Sequence, residues 1–381
     1  MRILAAIALV LLVAAGVWGI YRTPSNRPAE ARLHLDPLER QSAATPNLVA
    51  IQPWLDERHY QSAAHLLDRL DGYMTAAAGA GYLTEGSIAV FPEHVGTWLV
   101  AAGAPRASFD AAATQGAMTH LILANPLPFL SAWAASDEAD RTAAAIFRMR
   151  AERMAQDYQA VFSALAERHG VTVVAGSIVL PEPRVEDGRL IAGEGRLYNT
   201  AAVFNPDGSI RPQLVRKVHP IPSEAGFTAA AEAADLPVFA TPAGRLGVLI
   251  CADSWHPDVY ESLSRQEADI VAVPAFLQAV NVWDAPWGGY TTGWPEDADP
   301  DDAGRISEGQ AWLTHALAGR LASGGAEFGA TAFLRGELWD LGSDGANILV
   351  AAGEDARIDG QRDGAAISVL PLSSSPGASS E

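Results

Sequence analysis

Lysine and cysteine are almost missing from this chain of 381 residues: each occurs once, as Lys217 and Cys251. A single cysteine excludes an intramolecular disulfide. It also leaves no Cys/His metal cluster to propose, because the nine histidines are scattered without ligand spacing. Positive charge is scarce as well. With 26 Lys and Arg against 45 Asp and Glu, the net charge is −19, which argues against nucleic acid as a partner because a run of phosphates would go unneutralised. The redox compartment stays open, and periodicity shows no tandem repeat.

The chain is 49% apolar, enough for one large or two ordinary domains. Ile3 to Ile20 is an apolar or small run of 18 residues between Arg2 and Tyr21-Arg22, the lower limit for a membrane-spanning helix. Residues 1–22 therefore predict a signal-anchor or transmembrane helix, a membrane partner and a single-pass membrane location. The body is expected on the extracytoplasmic side, with the cytoplasmic side or secretion after cleavage as alternatives. Residues 23–45 read as a linker, 46–372 as the folded body and 373–381 as a disordered tail.

Within the body, strand-like and helix-like pieces alternate. NLVAIQP (47–53), GSIAVFPE, VTVVAGSIVLP, RLGVLIC, DIVAVPAF, ATAFL, ANILVAAG and AISVLPL read as strands. Residues 59–83, 137–169, the stretch WHPDVYESLSRQEA and 306–323 read as helices, the second stopped by Gly170. LYNTAAVFNPDGSIRPQLVRKVHP predicts a hairpin turning at Pro-Asp-Gly. Helix layers outside packed sheets are the economical architecture.

All other basic residues are arginine, so a lysine kept against that bias is informative. Arginine is locked in its charged form, whereas a site can tune a lysine. Lys217 can stabilise the negative oxygen that forms when a thiolate attacks a carbonyl or nitrile carbon, with the Ala252 backbone N–H as second donor. Cys251 ends a strand just before a helix, the context that lifts a nucleophile out of a sheet. The helix N-terminus and a nearby ammonium favour its thiolate. Glu93 leaves a strand end after Pro92 and can take the thiol proton and later activate water. Glu224, seven residues after Lys217, can orient the lysine or bind substrate, and Asp253 caps or braces the turn after Cys251. His219 and His256 are alternative bases. Each residue also has an ordinary reading, such as a buried structural thiol or a solvated loop acid.

Five stretches in order carry a resemblance. FPEHVGTW, LYNTAAVFNPDGSI, RKVHPIPSE, GVLICADSWHPD and DIVAVPAF, followed by a late LGSDGANILV strand, resemble the carbon–nitrogen hydrolase (nitrilase) superfamily over residues 46–372. The resemblance implies an α/β fold, a four-layer α-β-β-α sandwich, here preceded by the apolar N-terminal helix. It implies Glu93, Lys217 and Cys251 as catalytic residues, with Glu224, Ala252, Asp253 and Trp255 supporting them or binding substrate. It further implies no cofactor and no metal, a small-molecule amide, carbamoyl compound or nitrile as substrate, and homo-oligomers. Ala252 departs from the aromatic residue common at that position, and the Lys217 to Glu224 spacing is a residue short of some branches. Residues 281–305, with Trp283, Trp287 and Trp294 around an acidic run, are expected either as a lid over the pocket or as a solvated insertion. An N-acyltransferase at membranes using the same site, a tethered non-catalytic binding domain, and a thiol protease or thioesterase using His219 or His256 are the competing functions.

Overall fold

A computed structural model describes residues 2–41, 45–360 and 362–372; the expected tail, 373–381, lies outside the described residues. Two sheets form its centre. The first runs Ala366–Pro371, Asn47–Gln52, Ile88–Val90, Thr172–Val174 and Val203–Phe204 in spatial order. The second runs Val238–Thr241, Gly244–Val248, Ile270–Ala275, Phe328–Phe333, Asn347–Ala351 and Arg357–Asp359. In each, three neighbouring strands are parallel and the flanking ones antiparallel.

Side-chain alternation explains the stacking. In Asn47–Gln52 every residue is buried. Val49 and Ile51 face one core, with helices Ala63–Gly79 and Arg141–His169, while Leu48 and Ala50 face the other, toward the second sheet. A strand buried on both faces reads as a continuous apolar run. Asn347 ties the sheets together, donating to the Ala50 carbonyl at 3.2 Å and to Ser368 Oγ at 3.0 Å. Beyond the second sheet lie the helices Pro257–Arg265 and Glu308–His315. The order is helix, sheet, sheet, helix.

Two expected elements are broken. VTVVAGSIVLP divides into Thr172–Val174 and Ile178–Pro181, which belong to different sheets. Gly176 sits between them at φ +64°, where a Cβ would lie 2.0 Å from the Pro92 carbonyl. Only glycine permits both the left-handed backbone and that approach. The helix read over 306–323 divides into Glu308–His315 and Leu317–Arg320, because Ala316 is extended. The helices Thr114–Ala124 and Pro126–Ala135 were not anticipated.

The N-terminal run is helical from Arg2 to Tyr21, but among the described residues no helix is long and apolar enough to cross a membrane. This overturns the expected transmembrane helix, and with it the membrane partner and the single-pass membrane location. The C-terminal end of the helix meets the protein body: Trp18 Nε1 donates to the Leu123 carbonyl at 3.2 Å, and Tyr21 Oη lies 2.9 Å from His120 Nδ1. The following segment is also tied down, with Leu33, Leu35 and Leu38 packed on the first core.

Candidate active site

The acid segment is positioned by the break at Gly176. Phe91 N donates to the Val174 carbonyl, His94 N to Ser177 Oγ at 2.9 Å, and Gly96 N to the Ser177 carbonyl. Glu93 is thereby turned inward at the end of its strand, 2% exposed.

Lys217 follows the short strand Val215–Arg216 and is fully buried. Its backbone N–H donates to the Asn199 carbonyl at 2.8 Å, which brings two segments distant from the acid loop to the same point. Lys217 Nζ donates to Glu93 Oε1 at 2.8 Å and also to Glu224 Oε1. Asn199 completes the ring, with Nδ2 donating to Glu93 Oε1 at 2.9 Å and to Glu224 Oε2 at 3.0 Å. Burial works against the Lys217 ammonium, but the charges of Glu93 and Glu224 outweigh it and hold the lysine protonated well above its usual range. Burial likewise opposes the Glu224 charge, and Lys217 reverses the balance, leaving its pKa lowered. Glu224 Oε1 also accepts from Ile221 N at 3.1 Å, which closes the short turn Pro222–Ala225.

Cys251 opens a 3₁₀ turn, Cys251–Trp255, three residues after the end of the strand Gly244–Val248. Its φ of +50° is rare for a residue with a side chain, and strain of this kind concentrates where a reactive group must be aimed. Asp253 holds the turn. Its Oδ2 accepts from Ile250 N at 3.1 Å, while Oδ1 accepts from Val218 N at 2.9 Å and His219 N at 2.7 Å. One buried carboxylate thus joins the cysteine turn to the lysine segment. Burial pushes the Asp253 carboxyl up to about 6. The expected preference for thiolate is reversed: burial and the Glu93 charge raise the Cys251 thiol well above its usual pKa, and Lys217 offsets only part of this. A resting thiol of that kind needs a base. Ala252 N–H, next in the chain, is used by none of the described hydrogen bonds.

These groups open into a cavity of about 830 Å³ with largely apolar walls. Glu93, Glu224, Cys251, Ala252 and Trp255 all line it. Residues 287–292 form part of its wall, so the irregular segment lies against the pocket as a lid would. Trp287 stacks on Trp255 with ring centroids 5.7 Å apart, Trp283 is buried edge-on against Phe333, and Trp294 remains exposed.

His219 and His256 stack at 3.8 Å, and neither hydrogen-bonds Cys251 among the described residues. His219 Nε2 faces Asp258 at 3.0 Å, and burial lowers His256 to about 4. Two site residues escaped sequence reasoning. Asn199 was visible only as the middle of the LYNTA strand. His94 stands next to Glu93 in the acid segment, with Nε2 3.8 Å from Glu93 and 4.0 Å from Glu224.

Glu93, His94 and Glu224 offer ligand atoms within 4.8 Å of one another, a spacing that suits a metal ion. Both carboxylates already accept from Lys217 Nζ, and an ammonium in the same cradle opposes a cation. The residues present do not fit a metal site.

Comparison with known proteins gives a coherent result. The carbon-nitrogen hydrolase family model matches residues 61–291, more than half of the chain. A deaminated glutathione amidase of Synechocystis is 35% identical over 127 residues, 30% of this chain and 42% of that protein. An omega-amidase of Danio rerio is 31% identical over 137 residues, 34% of this chain and 44% of that protein. The chain spans less than half the length of these curated relatives. Among solved structures, a carbon-nitrogen hydrolase from Helicobacter pylori superposes with a TM-score of 0.53 at 17% identity, covering 86% of this chain and 90% of that one. At that identity the likeness speaks for the fold alone.

Proposed function

The chain belongs to the carbon–nitrogen hydrolase family, and on that premise we propose that it hydrolyses small-molecule amides through a thioester on Cys251. The observation that carries this reading is the buried ring of Glu93, Lys217, Asn199 and Glu224, opening beside a Cys251 held at positive φ on the wall of a large apolar cavity.

Glu93 takes the Cys251 proton as sulfur attacks the carbonyl carbon. The negative oxygen that forms is met by the Lys217 ammonium and the unused Ala252 N–H. Glu93 returns the proton to the nitrogen, the C–N bond breaks, and ammonia leaves. Water then gives a proton to Glu93 and its oxygen to the thioester carbon, the C–S bond breaks to release the carboxylic acid, and Glu93 returns the proton to sulfur to restore the thiol. Glu224 and Asn199 hold Lys217 and Glu93 in register. Trp255 and the 287–292 wall contact the acyl group. Carbamoyl compounds and nitriles fit the same attack. Copies of the chain are proposed to assemble as homo-oligomers, which size-exclusion chromatography with light scattering checks.

The test is ammonia release by the full chain on a panel of aliphatic and aromatic amides, carbamoyl compounds and nitriles. Release that disappears in Cys251→Ala is expected. Transfer of the acyl group to an added amine in preference to water would instead make the protein an acyltransferase, and release that persists in Cys251→Ala would remove the mechanism.

A further inference from the structure

One part of the cavity wall is built unlike an ordinary apolar acyl pocket. Trp255, Trp287, Tyr290 and Trp312 line it together. Trp255 stacks on Trp287 at 5.7 Å and meets Trp312 edge-on at 4.9 Å; Tyr290 stands edge-on to Trp287 at 5.4 Å and to Trp255 at 5.9 Å. Four electron-rich rings from three separate segments converge there. Such rings carry negative π-faces, although Trp287 is stacked by His315 at 4.8 Å as well as by Trp255.

Glu308 lines the same cavity. It has no ion-pair partner among the described residues. It occupies the first turn of Glu308–His315, where a helix dipole gives modest help to a carboxylate but no counter-charge. The Trp312 indole N–H is close enough to oppose part of the burial effect, yet Trp312 Nε1 is buried without a partner in normal hydrogen-bond geometry. Burial pushes the Glu308 carboxyl up to about 7. A protein that only needed an apolar wall would gain by placing a neutral residue here. No lysine or arginine lines the cavity, and two further carboxylates, Glu93 and Glu224, stand at its reactive end. The molecule as a whole carries a net charge of −19. Glu93 and Glu224 are already paired by Lys217, and of this wall Arg320 reaches only the Tyr290 hydroxyl, at 3.3 Å, so the unpaired Glu308 and the rings beside it set the preference, against an anionic acyl group and toward a cation.

Resting on the amide-hydrolase reading of the site, we propose that the pocket selects amides whose far end carries an ammonium or guanidinium group, held between the rings of Trp255, Trp287, Tyr290 and Trp312 and the Glu308 carboxylate. Aromatic faces attract a cation most strongly where water is excluded, and a neighbouring carboxylate adds direction and charge. A neutral amide of equal length fills the same volume without either contact. An amide ending in a carboxylate meets the unpaired Glu308 and no lysine or arginine in the wall.

Binding is measured apart from turnover, using the full chain carrying Cys251→Ala and tryptophan fluorescence at pH 8. The probes are 6-aminohexanamide, hexanamide and adipic acid monoamide, extended to shorter and longer homologues. The expected result is a dissociation constant for the amino amide about tenfold or more below that for the neutral amide, with the acid monoamide weakest. Adding Glu308→Gln cuts that advantage to about threefold or less, and Glu308→Asp, which keeps the charge, retains more of it. Equal binding of the amino and neutral amides, or tightest binding of the acid monoamide, would overturn the inference. An advantage that survives Glu308→Gln would overturn the role of Glu308. Ammonia release by the unmutated chain separates the two readings. Selective binding without turnover of any probe counts against hydrolysis alone, and turnover of hexanamide without preference for the amino amide counts against the cation site alone.

Discussion

Replacing Glu93 with glutamine changes one charge and almost no volume, so its consequences divide cleanly. In the protein, Glu93 Oε1 accepts from Lys217 Nζ at 2.8 Å and from Asn199 Nδ2 at 2.9 Å. A glutamine carbonyl can keep both contacts, and Glu224 remains to pair the lysine. Removing one partner of a buried ion pair outright costs about 3–5 kcal/mol. With a polar acceptor left in place, a loss of about 1–3 kcal/mol is expected, read as a lower Tm without loss of the folded baseline. Catalysis suffers more. General acid–base catalysis is worth about 10²–10⁴-fold, and kcat should fall by that amount. The thiol should move in the opposite sense to the activity. The Glu93 charge is one of the two main causes that raise Cys251, and Lys217 opposes it. Without Glu93, the pH midpoint for alkylation of Cys251 by iodoacetamide should shift down. Activity and thiol acidity thus part company in one variant. A Glu93→Gln protein that retains kcat within about threefold, or whose alkylation midpoint moves up, would refute the assignment of Glu93 as the base facing a protonated thiol.

Lys217→Arg should lower kcat by about 10² or more, because a guanidinium cannot occupy the fully buried ammonium position between two carboxylates without displacing them; steady-state ammonia release checks it. Asn199→Ala should cost about 1–3 kcal/mol of stability and at least tenfold in kcat, since both carboxylates lose a neutral donor at once; thermal melts and kinetics on the same preparation read both. Asp253 has a folded pKa of about 6 against an ordinary 3.8, so it makes the fold less stable as pH rises from about 4 to about 6, because the unfolded chain gives up this proton first. Asp253→Asn lacks that loss, and the Tm difference between the original chain and the variant should narrow over that interval. Trp287→Ala should lower kcat/KM for a bulky aromatic amide relative to acetamide by about tenfold, as it removes the ring stacked on Trp255; an unchanged ratio would take the 281–305 segment out of substrate selection.

The catalytic candidates were legible because composition isolates them. A lone lysine and a lone cysteine in motif-like surroundings can be read without any structure, and Glu93 follows from the strand end before it. Asn199 was not legible, because its role exists only once the Lys217 backbone has paired with its own carbonyl and the acid loop has turned inward. His94 was hidden in the same way, as nothing in an adjacent histidine reveals that its ring will face two carboxylates. Thiolate preference was misjudged because motif reasoning counts the neighbouring ammonium and cannot weigh burial against it. Strand periodicity located the inner strands of both sheets but not the edge strands Val238–Thr241 and Arg357–Asp359, and the single run at 171–181 concealed a crossing between sheets that depends on Gly176 meeting the Pro92 carbonyl. The N-terminal run shows the limit of hydropathy read alone: an apolar composition at the lower length limit predicted a span, and the described helix does not sustain one.

The central claim is a covalent acyl group on Cys251, and rapid-quench mass spectrometry of the full chain with a turned-over amide tests it most directly. The account predicts a mass increase equal to the substrate less ammonia, located on the peptide that carries Cys251 and absent from Cys251→Ala. Ammonia release at full rate with no adduct on that peptide, or with the adduct on another residue, would contradict it.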